Sequence, residues 1–258
     1  MLVAAIALAA AAAAGPDRSL AGCGGVPVVA HRGVHSVHTT EDSAASFLRA
    51  VQKGADVVEG DARLSADGTW VLMHDPTVNR TTNGRGRVSR LHDATLARLR
   101  YTDGRVGVST LDASLTPLDA APAQLQIEIK PASPGRGALQ RFMAVLDAHG
   151  LRARATITSF HPAVLARLRR LDPGWQTAPI LTHAPRHAAS MRRYGGSVDL
   201  AAHAVTWRAV RALHRAGVTV QTWTVDSHPT WRRVVRNGVD GVITDQVSRS
   251  QRWCRSVG

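Results

Sequence analysis

Short apolar, β-branched runs alternate with amphipathic segments from Val26 onward, and this rhythm constrains the fold more than any other feature of the chain. The alternation is typical of repeated β-α units around a parallel sheet. Several amphipathic segments end at a glycine, the residue that most readily stops a helix in a left-handed conformation. The chain has 258 residues, which suits one α/β barrel domain. We therefore predict a single (β/α)8 TIM barrel over residues 26–250.

Eight strands and several helices can be placed from the pattern. The predicted strands are Pro27–Ala30, Val57–Leu64, Leu125–Ile129, Thr156–Ser159, Thr177–Leu181, Val198–Leu200, Val218–Trp223 and Gly241–Thr244. The predicted helices include Asp42–Lys53, Gly137–His149, Pro162–Leu171, Trp207–Ala216 and Pro229–Arg236. The stretch Gly84–Ala123 is longer than a β-α connection and rich in Gly, Arg, Asp and Thr. We predict that it is a small insertion after the second strand, forming a lid or rim.

The N-terminus begins with an apolar segment, residues 2–14, that is too short to span a bilayer as a stable helix. Its length and composition are typical of the core of a secretion signal. We expect residues 1–22 to be a leader and the mature protein to be secreted. No later apolar stretch approaches the roughly 20 residues needed to cross a membrane, so no stable membrane span is predicted.

The two cysteines lie near opposite ends of the chain. Cys23 precedes the first predicted strand and Cys254 is four residues from the last residue. Because a barrel brings its termini together, we hypothesise a disulfide between them, which an oxidising compartment would permit. An alternative is that Leu20–Cys23 is a lipoprotein processing box, with Cys23 carrying a lipid anchor outside the membrane.

The chain is strongly basic, with 32 basic and 19 acidic residues and a net charge of +13. All of the basic residues except Lys53 and Lys130 are arginines, and they are spread along the chain rather than gathered in a dense run. The sequence has no nucleic-acid-binding motif and no cluster of base-stacking aromatic residues. We predict no nucleic-acid partner, and we expect a monomer.

Acidic residues occur in pairs or beside a lysine within two of the predicted strands. Glu59 and Asp61 are two residues apart, so their side chains share one face at about 7 Å. Two inward carboxylates in a strand covered by helices are costly unless a cation lies between them. Glu128 and Lys130 share a face in the same way. They would act either as a third metal ligand and a phosphate contact or as a plain ion pair.

Two histidines are expected at the same rim of the barrel. His31 follows the first strand directly and is succeeded by Arg32 and Gly33, while His74 follows a second strand-like run after the Asp67–Gly68 turn. Barrel enzymes place their chemistry at the carboxyl ends of strands. Histidine transfers protons near neutral pH and arginine forks onto phosphate oxygens. The pair therefore predicts a donor and an acceptor of protons at one opening.

Taken in order, these motifs resemble the signature of the glycerophosphodiester phosphodiesterase family. The resemblance extends from Val26 to Val247 and is carried by His31-Arg32-Gly33, Glu41, Glu59-x-Asp61, His74-Asp75, Arg80-Thr81-Thr82, Glu128-x-Lys130, Ser159-Phe160, Trp223-Thr224-Val225 and Gly238–Asp245. It implies a TIM barrel that hydrolyses glycerophosphodiesters to sn-glycerol 3-phosphate and an alcohol.

The resemblance also implies roles for individual residues. His31 and His74 would be the general acid and base, and a divalent ion, Ca²⁺ or Mg²⁺, would be bound by Glu59, Asp61 and Glu128. Two cations, Arg32 and Lys130, would hold the phosphate, and two aromatic residues, Phe160 and Trp223, would line the glycerol side of the pocket. Glu41 would lie near the metal or orient His31. Asp42 stands where the family has asparagine, and we expect it to cap the following helix.

Two other functions remain open at this point. One is a lipid-directed phosphodiesterase related to phospholipase D or sphingomyelinase D, which would share the histidine pair and the metal-binding acids on the same barrel. The other is a non-catalytic extracellular protein that binds phosphate polymers through its arginines. Cleavage of intact phospholipid would favour the first, and phosphate-ester binding without metal-dependent turnover would favour the second.

Overall fold

The computed structural model describes residues 26–255, with side chains described as far as Trp253. Its strands are β1 Val28–Ala30, β2 Val57–Leu64, β3 Trp70–Leu72, β4 Gln124–Ile129, β5 Ala155–Ser159, β6 Gln176–Leu181, β7 Ser197–Ala201, β8 Thr219–Trp223 and β9 Gly241–Thr244. Its helices are α1 Ala44–Gln52, α2 Asp93–Leu96, α3 Leu111–Leu115, α4 Arg136–Ala148, α5 Pro162–Leu171, α6 Trp207–Arg215, α7 His228–Arg236 and α8 Val247–Arg255.

The strands β1, β2 and β4–β9 form a closed parallel barrel. Each pairs in parallel with its neighbours, and β1 closes the sheet by pairing with both β9 and β2. The predicted (β/α)8 barrel is thereby confirmed, and the eight predicted strands match the observed ones to within one residue at each end. The connection from β6 to β7 departs from the repeat, because a 3-10 segment, Ala188–Tyr194, stands there instead of an α-helix.

The main core lies between the outer face of the barrel and its helices. Strand residues such as Val58 and Ile127 are fully buried there, and Phe47 of α1 and Phe142 of α4 pack over them. Gly60 has a packing role in this layer, since an added Cβ would lie 2.6 Å from the ring of Phe47. The small residue therefore lets α1 pack closely against the strand that carries two of the predicted metal ligands.

The segment between β3 and β4 forms a compact unit at the rim. Strand β3 pairs antiparallel with β2, as the Asp67–Gly68 turn predicts, and the following residues bury a small apolar cluster that includes Val71, Val88 and Leu96. Thr40 N–H donates to Asp103 Oδ2 at 2.7 Å, which ties this unit to the β1–α1 loop. The insertion is a rim of the barrel with its own core.

Several predictions concern residues beyond the described range. The leader, residues 1–22, and Cys23 lie outside it, and so does the side chain of Cys254. Secretion, the disulfide and lipid anchoring therefore stay predictions. Within residues 26–255, no helix combines the length and the apolar character that a bilayer span requires.

One ion-pair cluster anchors the insertion to the barrel and predicts a pH dependence of stability. His149, at the end of α4, bonds Asp119 through Nδ1 at 2.6 Å and Asp112 through Nε2 at 3.2 Å. Burial lowers the pKa of His149, but the two carboxylates raise it by more than burial lowers it. The pKa therefore lies above 6.5. A histidine whose pKa is higher in the folded state contributes its full stabilisation at pH values below its unfolded-state pKa. This stabilisation is lost as the pH rises through the folded-state pKa.

We expect His149→Asn to lower the free energy of unfolding by up to about 1 kcal/mol at pH 6, and by less at pH 8. Urea unfolding of both proteins across this range measures the difference. The exposed His187, substituted in the same way, serves as the control and should show no such trend. A His149→Asn effect that stays constant from pH 6 to pH 8 would contradict the assigned cause.

Candidate active site

The floor of the candidate site is a group of buried carboxylates around one lysine. Strands β2 and β4 pair with Asp61 opposite Glu128, which brings both side chains to the same level inside the barrel. Lys130 Nζ lies 2.9 Å from Asp61 Oδ1 and 2.7 Å from Glu128 Oε2. Glu59 lies one pleat below Asp61 and accepts a hydrogen bond from the backbone N–H of Arg32 at 2.8 Å. The strand pairing thus gathers the three predicted metal ligands.

Carboxyl groups are concentrated in this floor. Burial, followed by the charge of Asp61, raises the pKa of Glu59 to about 7 and that of Glu128 to about 8. Burial acts in the same direction on Asp61, but Lys130, His74 and Arg32 lower the pKa of that carboxyl to about 2. Oδ2 of Asp61 is buried with no hydrogen-bond partner among the described residues. The floor therefore holds more carboxyl groups than its own cations keep ionised near neutral pH.

A chain of arginines and acids borders the floor. Nη1 of Arg32 donates to Glu41 Oε1 at 2.9 Å, and Nε of Arg32 lies 3.4 Å from Asp61 Oδ2. Arg80 donates to both oxygens of Glu41, at 2.6 and 3.0 Å, and also to Asp75. Nε of Arg32 is buried and has no hydrogen-bond partner among the described residues. Glu41 and Asp61 thus fix the orientation of the Arg32 guanidinium.

Asp42 supports the site from beneath and does not cap α1 as expected. The N-cap is Ser43, whose side chain accepts from Ser46 N–H in a capping box. Asp42 has a φ of 48°, is 2% exposed, and accepts a hydrogen bond from Asp61 N–H at 2.9 Å. The left-handed backbone turns the side chain toward β2, where its carboxylate holds the strand that carries Asp61.

His31 is held by an aspartate from the last strand of the barrel. Nδ1 of His31 bonds Asp245 Oδ1 at 2.7 Å, and the same oxygen is 3.2 Å from Nε2 of His35. The side chain of His31 is 16% exposed. Burial lowers its pKa, but the bond to Asp245 and the charge of Glu59 raise it more, so the pKa lies above 6.5. Because Nδ1 of His31 is bonded to Asp245, Nε2 is the ring nitrogen that is free to face the pocket.

His74 faces the same pocket from the β3 side and has a different environment. Its Nδ1 bonds Asp75 Oδ1 at 2.9 Å, and its backbone carbonyl accepts from Arg63 Nε at 3.0 Å. Burial is the largest cause that lowers the pKa of His74 below its usual value, with Lys130 adding to it and Asp61 opposing it. The two pocket histidines therefore have pKa values shifted in opposite directions.

Aromatic rings form one wall of the pocket. Phe160, after β5, and Trp223, at the end of β8, meet edge to face with centroids 5.4 Å apart, and Lys130 Nζ lies 6.0 Å from the Phe160 centroid. The pocket offers about 430 Å³ of space, counting its part open to solvent, and its lining includes both histidines, all three acids and both aromatic residues. The pocket therefore places acidic, basic and aromatic side chains around one space.

Asp199 of β7 is a further acid of the pocket lining. It is 1% exposed and accepts from Gln126 Nε2 at 2.9 Å across the barrel. Burial, followed by the charges of Glu59 and Glu128, raises its pKa well above the usual value. Asp199 therefore belongs to the carboxyl-rich interior beneath the pocket.

A comparison with known families decides the relationship of this chain. The model of the glycerophosphoryl diester phosphodiesterase family matches residues 31–249. The chain belongs to this family. The expectation drawn from the motifs is therefore confirmed, and so is the assignment to a family of enzymes.

Individual relatives agree with this assignment. The chain is 29% identical over 231 residues to a glycerophosphodiester phosphodiesterase of Caldanaerobacter subterraneus, covering 84% of this chain and 93% of the relative. It is 28% identical over 261 residues to one of Bacillus subtilis, covering 89% and 84%. Among solved structures, a phosphodiesterase of Oleispira antarctica in complex with its product sn-glycerol-3-phosphate has the same fold, with a TM-score of 0.79 at 22% identity over 89% of this chain and 96% of that one.

The structure brings together most of the residues singled out in the sequence of this family member. The pocket lining contains His31, His74, Glu59, Asp61, Glu128, Arg32, Lys130, Phe160 and Trp223. Glu41 lies beside the pocket and contacts Arg32, while the residue that bonds His31 is Asp245.

Sequence reasoning assigned no role to Asp245, Asp75, Arg80 or Asp199. A signal for Asp245 was present, because it directly follows β9, at the carboxyl end of a barrel strand. Signals for the others were also present. Asp75 and Arg80 belong to motifs that carry the family resemblance, and Asp199 is a polar residue inside a predicted barrel strand.

Proposed function

We propose that the protein hydrolyses glycerophosphodiesters to sn-glycerol 3-phosphate and an alcohol. The observation that carries this proposal is a single pocket with two histidines, two cationic side chains and a carboxylate-rich floor. These are the groups needed to bind a phosphodiester and to move protons on either side of its phosphorus. Membership of the family and the product named for the Oleispira antarctica structure support the same reaction.

Arg32 and Lys130 are proposed to hold the phosphate. Arg32 lines the pocket with its Nη1 held by Glu41, so its guanidinium is oriented to donate to a phosphate oxygen. Lys130 lies between the carboxylates and the Phe160 ring, so its ammonium can reach a ligand over the floor. The glycerol carbons would pack on Phe160 and Trp223, where the edge-to-face rings offer apolar surface next to the cations.

Glu59, Asp61 and Glu128 are proposed to bind a divalent cation, Ca²⁺ or Mg²⁺. Within the described residues, Oδ2 of Asp61 accepts no hydrogen bond and has only the 3.4 Å ion-pair contact with Arg32 Nε, and the pKa values of Glu59 and Glu128 are raised; both observations indicate a donor set that lacks positive charge. Carboxylate oxygens are the ligands that both ions prefer. Among the described residues, no group of three acids, histidines or cysteines is already arranged to coordinate a metal. Lys130 forms ion pairs with Asp61 and Glu128, two of the three proposed ligands. A bound ion would compete with Lys130 for them and would withdraw charge from a phosphate oxygen.

His31 and His74 are proposed to share the two proton transfers, one accepting the proton of the nucleophile and the other protonating the leaving alcohol. Both rings have Nδ1 bonded to an aspartate, so each can present Nε2 to the substrate. Their oppositely shifted pKa values suit a pair in which one ring is protonated while the other is neutral.

The test is release of glycerol 3-phosphate from glycerophosphocholine by the purified protein with Ca²⁺, with Mg²⁺ and with a chelator. We expect release with at least one of the two ions and none with the chelator. Readdition of the ion after chelation should restore the rate, which separates loss of metal from loss of fold. Undiminished release in chelator would refute the metal site and leave the hydrolysis standing.

The same assay with intact phosphatidylcholine and sphingomyelin tests the lipid-directed alternative. We expect the deacylated diester to be the better substrate. Cleavage of the intact lipids alone would indicate that the protein is a lipid phosphodiesterase.

Secretion and a monomeric state are also proposed. Peptide mapping of the secreted protein tests the first, and light scattering tests the second.

A further inference from the structure

Four successive helices of the barrel carry positive charge with no acid among them. Helices α5, α6, α7 and α8 each contain three arginines and no aspartate or glutamate. The arginines that form ion pairs among the described residues all lie earlier in the chain, and these are Arg32, Arg80, Arg105 and Arg152. A general excess of arginine would affect both parts of the chain alike, so it does not explain why the acids avoid these helices.

Helix α6 directs its charge away from the barrel. Val210 and Leu213 are buried beneath it, whereas its arginines are exposed at Arg208, Arg211 and Arg215. These arginines are three and four positions apart, which places them on one side of the helix. The outer side of α6 is therefore a row of positive charge.

Helix α7 continues this row beside α6. Its Arg232 and Arg236 are exposed and lie one turn apart. Arg233, between them, donates to the backbone carbonyls of Ala202 and Val205 at 2.8 and 3.0 Å, which fastens α7 to the segment that leads into α6. The exposed arginines of the two helices consequently share one surface.

An exposed tryptophan lies at one end of this surface. Trp207, the first residue of α6, is 54% exposed, and the guanidinium of Arg211 lies 4.9 Å from its ring centroid. Because α6 follows β7, its first residue lies at the carboxyl end of the strands, the end at which the candidate pocket is built. The α6–α7 face is defined by these residues: Trp207, Arg208, Arg211, Arg215, Arg232 and Arg236.

The acids nearest in sequence to this face have other partners. Asp240 pairs with His214 at 2.7 Å and accepts a hydrogen bond from Val220 N–H at 2.8 Å. Asp226 accepts a hydrogen bond from the backbone N–H of Asp245 at 2.8 Å. Within the described part of the chain, the positive charge of the α6–α7 face is therefore left without an ion-pair partner.

We propose that the α6–α7 face binds the surface of a lipid bilayer that contains anionic phospholipids. Guanidinium groups pair with phosphate oxygens, and each arginine near an anionic surface adds to the affinity. The indole of Trp207 is suited to the headgroup region of a bilayer, which a soluble polyanion does not offer. Because Trp207 lies at the pocket end of the barrel, binding through this face brings the pocket close to the lipid surface. Binding requires no turnover, so this inference goes beyond the proposed hydrolysis and does not depend on it.

The test is cosedimentation of the purified protein with vesicles of phosphatidylcholine alone and with vesicles of equal parts phosphatidylcholine and phosphatidylglycerol. We expect binding to the anionic vesicles only, and high salt should weaken it. A quadruple variant with glutamine at positions 208, 211, 232 and 236 should bind at least about 100-fold more weakly, at about fivefold for each arginine. Trp207→Ala should weaken binding by about tenfold, because less apolar surface enters the headgroup region.

A matched control removes the same charge from the opposite side of the barrel. The insertion follows β3, which pairs with β2, and the strand order places β2 across the barrel from β7. The control variant carries glutamine at four exposed arginines of the insertion, which are Arg85, Arg87, Arg90 and Arg98. Its net charge equals that of the first variant, but it should bind the anionic vesicles much as wild type does.

Equal losses in the two quadruple variants, or equal binding of wild type to neutral and anionic vesicles, would overturn the proposal. Unchanged binding of Trp207→Ala together with tighter binding of wild type to soluble polyphosphate would also overturn it, in favour of a polyanion in solution. Urea unfolding verifies the fold of each variant. If the first quadruple variant is less stable than wild type, Arg232→Gln and Arg236→Gln as single changes decide the question, with an expected loss of about fivefold each.

Discussion

Replacement of His74 by asparagine is expected to lower kcat for glycerophosphocholine hydrolysis by about 100- to 10,000-fold. His74 lines the pocket across from Asp61, and its Nδ1 is already bonded to Asp75, so its free nitrogen faces the space proposed for the phosphate. Asparagine is similar in size but cannot gain or lose a proton near neutral pH. His31→Asn should have an effect of the same order. Steady-state release of glycerol 3-phosphate at saturating substrate measures both.

The exposed His38 offers a matched control for these two variants. It belongs to the β1–α1 loop at the same rim, and its side chain makes no ion pair or hydrogen bond within the described residues. His38→Asn should therefore keep wild-type turnover. A His74→Asn or His31→Asn protein that unfolds like wild type and keeps near-full turnover would remove that histidine from the mechanism.

Asp245→Asn is expected to produce the second-largest effect, a loss of at least about 100-fold in kcat. Asp245 holds Nδ1 of His31 at 2.7 Å and is the chief cause that raises the pKa of that ring against its burial. An amide in its place removes the negative charge and no longer fixes which ring nitrogen of His31 carries the proton. The pKa of His31 should fall, so the limb of the pH–rate profile that reports His31 should move to lower pH.

The direction of this limb also assigns the roles of the two histidines. Movement of the basic limb identifies His31 as the general acid, and movement of the acidic limb identifies it as the general base. His35→Asn is the comparison, because it removes the longer, 3.2 Å contact to the same oxygen and leaves the His31 contact intact. It should reduce kcat only a few-fold. A profile for Asp245→Asn with both limbs in place would show that Asp245 has a purely structural role.

The strands and the residues at their ends were predictable because both follow from local pattern. Buried parallel strands require short apolar runs, and runs such as Val28–Ala30 and Val57–Val58 are recognisable in the sequence. Polar residues within or directly after such runs must face the barrel interior or its rim, which is why His31, Glu59 and Glu128 were found. The order of strands in a barrel then follows from right-handed β-α connections, so these residues could be assigned to one opening.

The role of Asp42 was predicted wrongly, and that of Gly60 was not predicted. Asp42 occupies a position where an acidic residue normally caps a helix, but Ser43 takes that role and Asp42 turns inward to hold Asp61 N–H. Gly60 lies under the ring of Phe47 and allows α1 to pack closely, a role that the sequence analysis did not assign to it. Neither outcome can be read from propensities, because each depends on what packs against the residue.

The sequence by itself determined the family, the barrel and the set of chemical groups at its rim, since these depend on periodicity and on residues within a few positions of a strand end. Only the tertiary structure decided how those groups are paired. His31 meets Asp245 across 214 positions, Gln126 meets Asp199 across 73, and Arg80 reaches back to Glu41 across 39. Closure of the barrel creates these contacts by bringing strand ends into one ring.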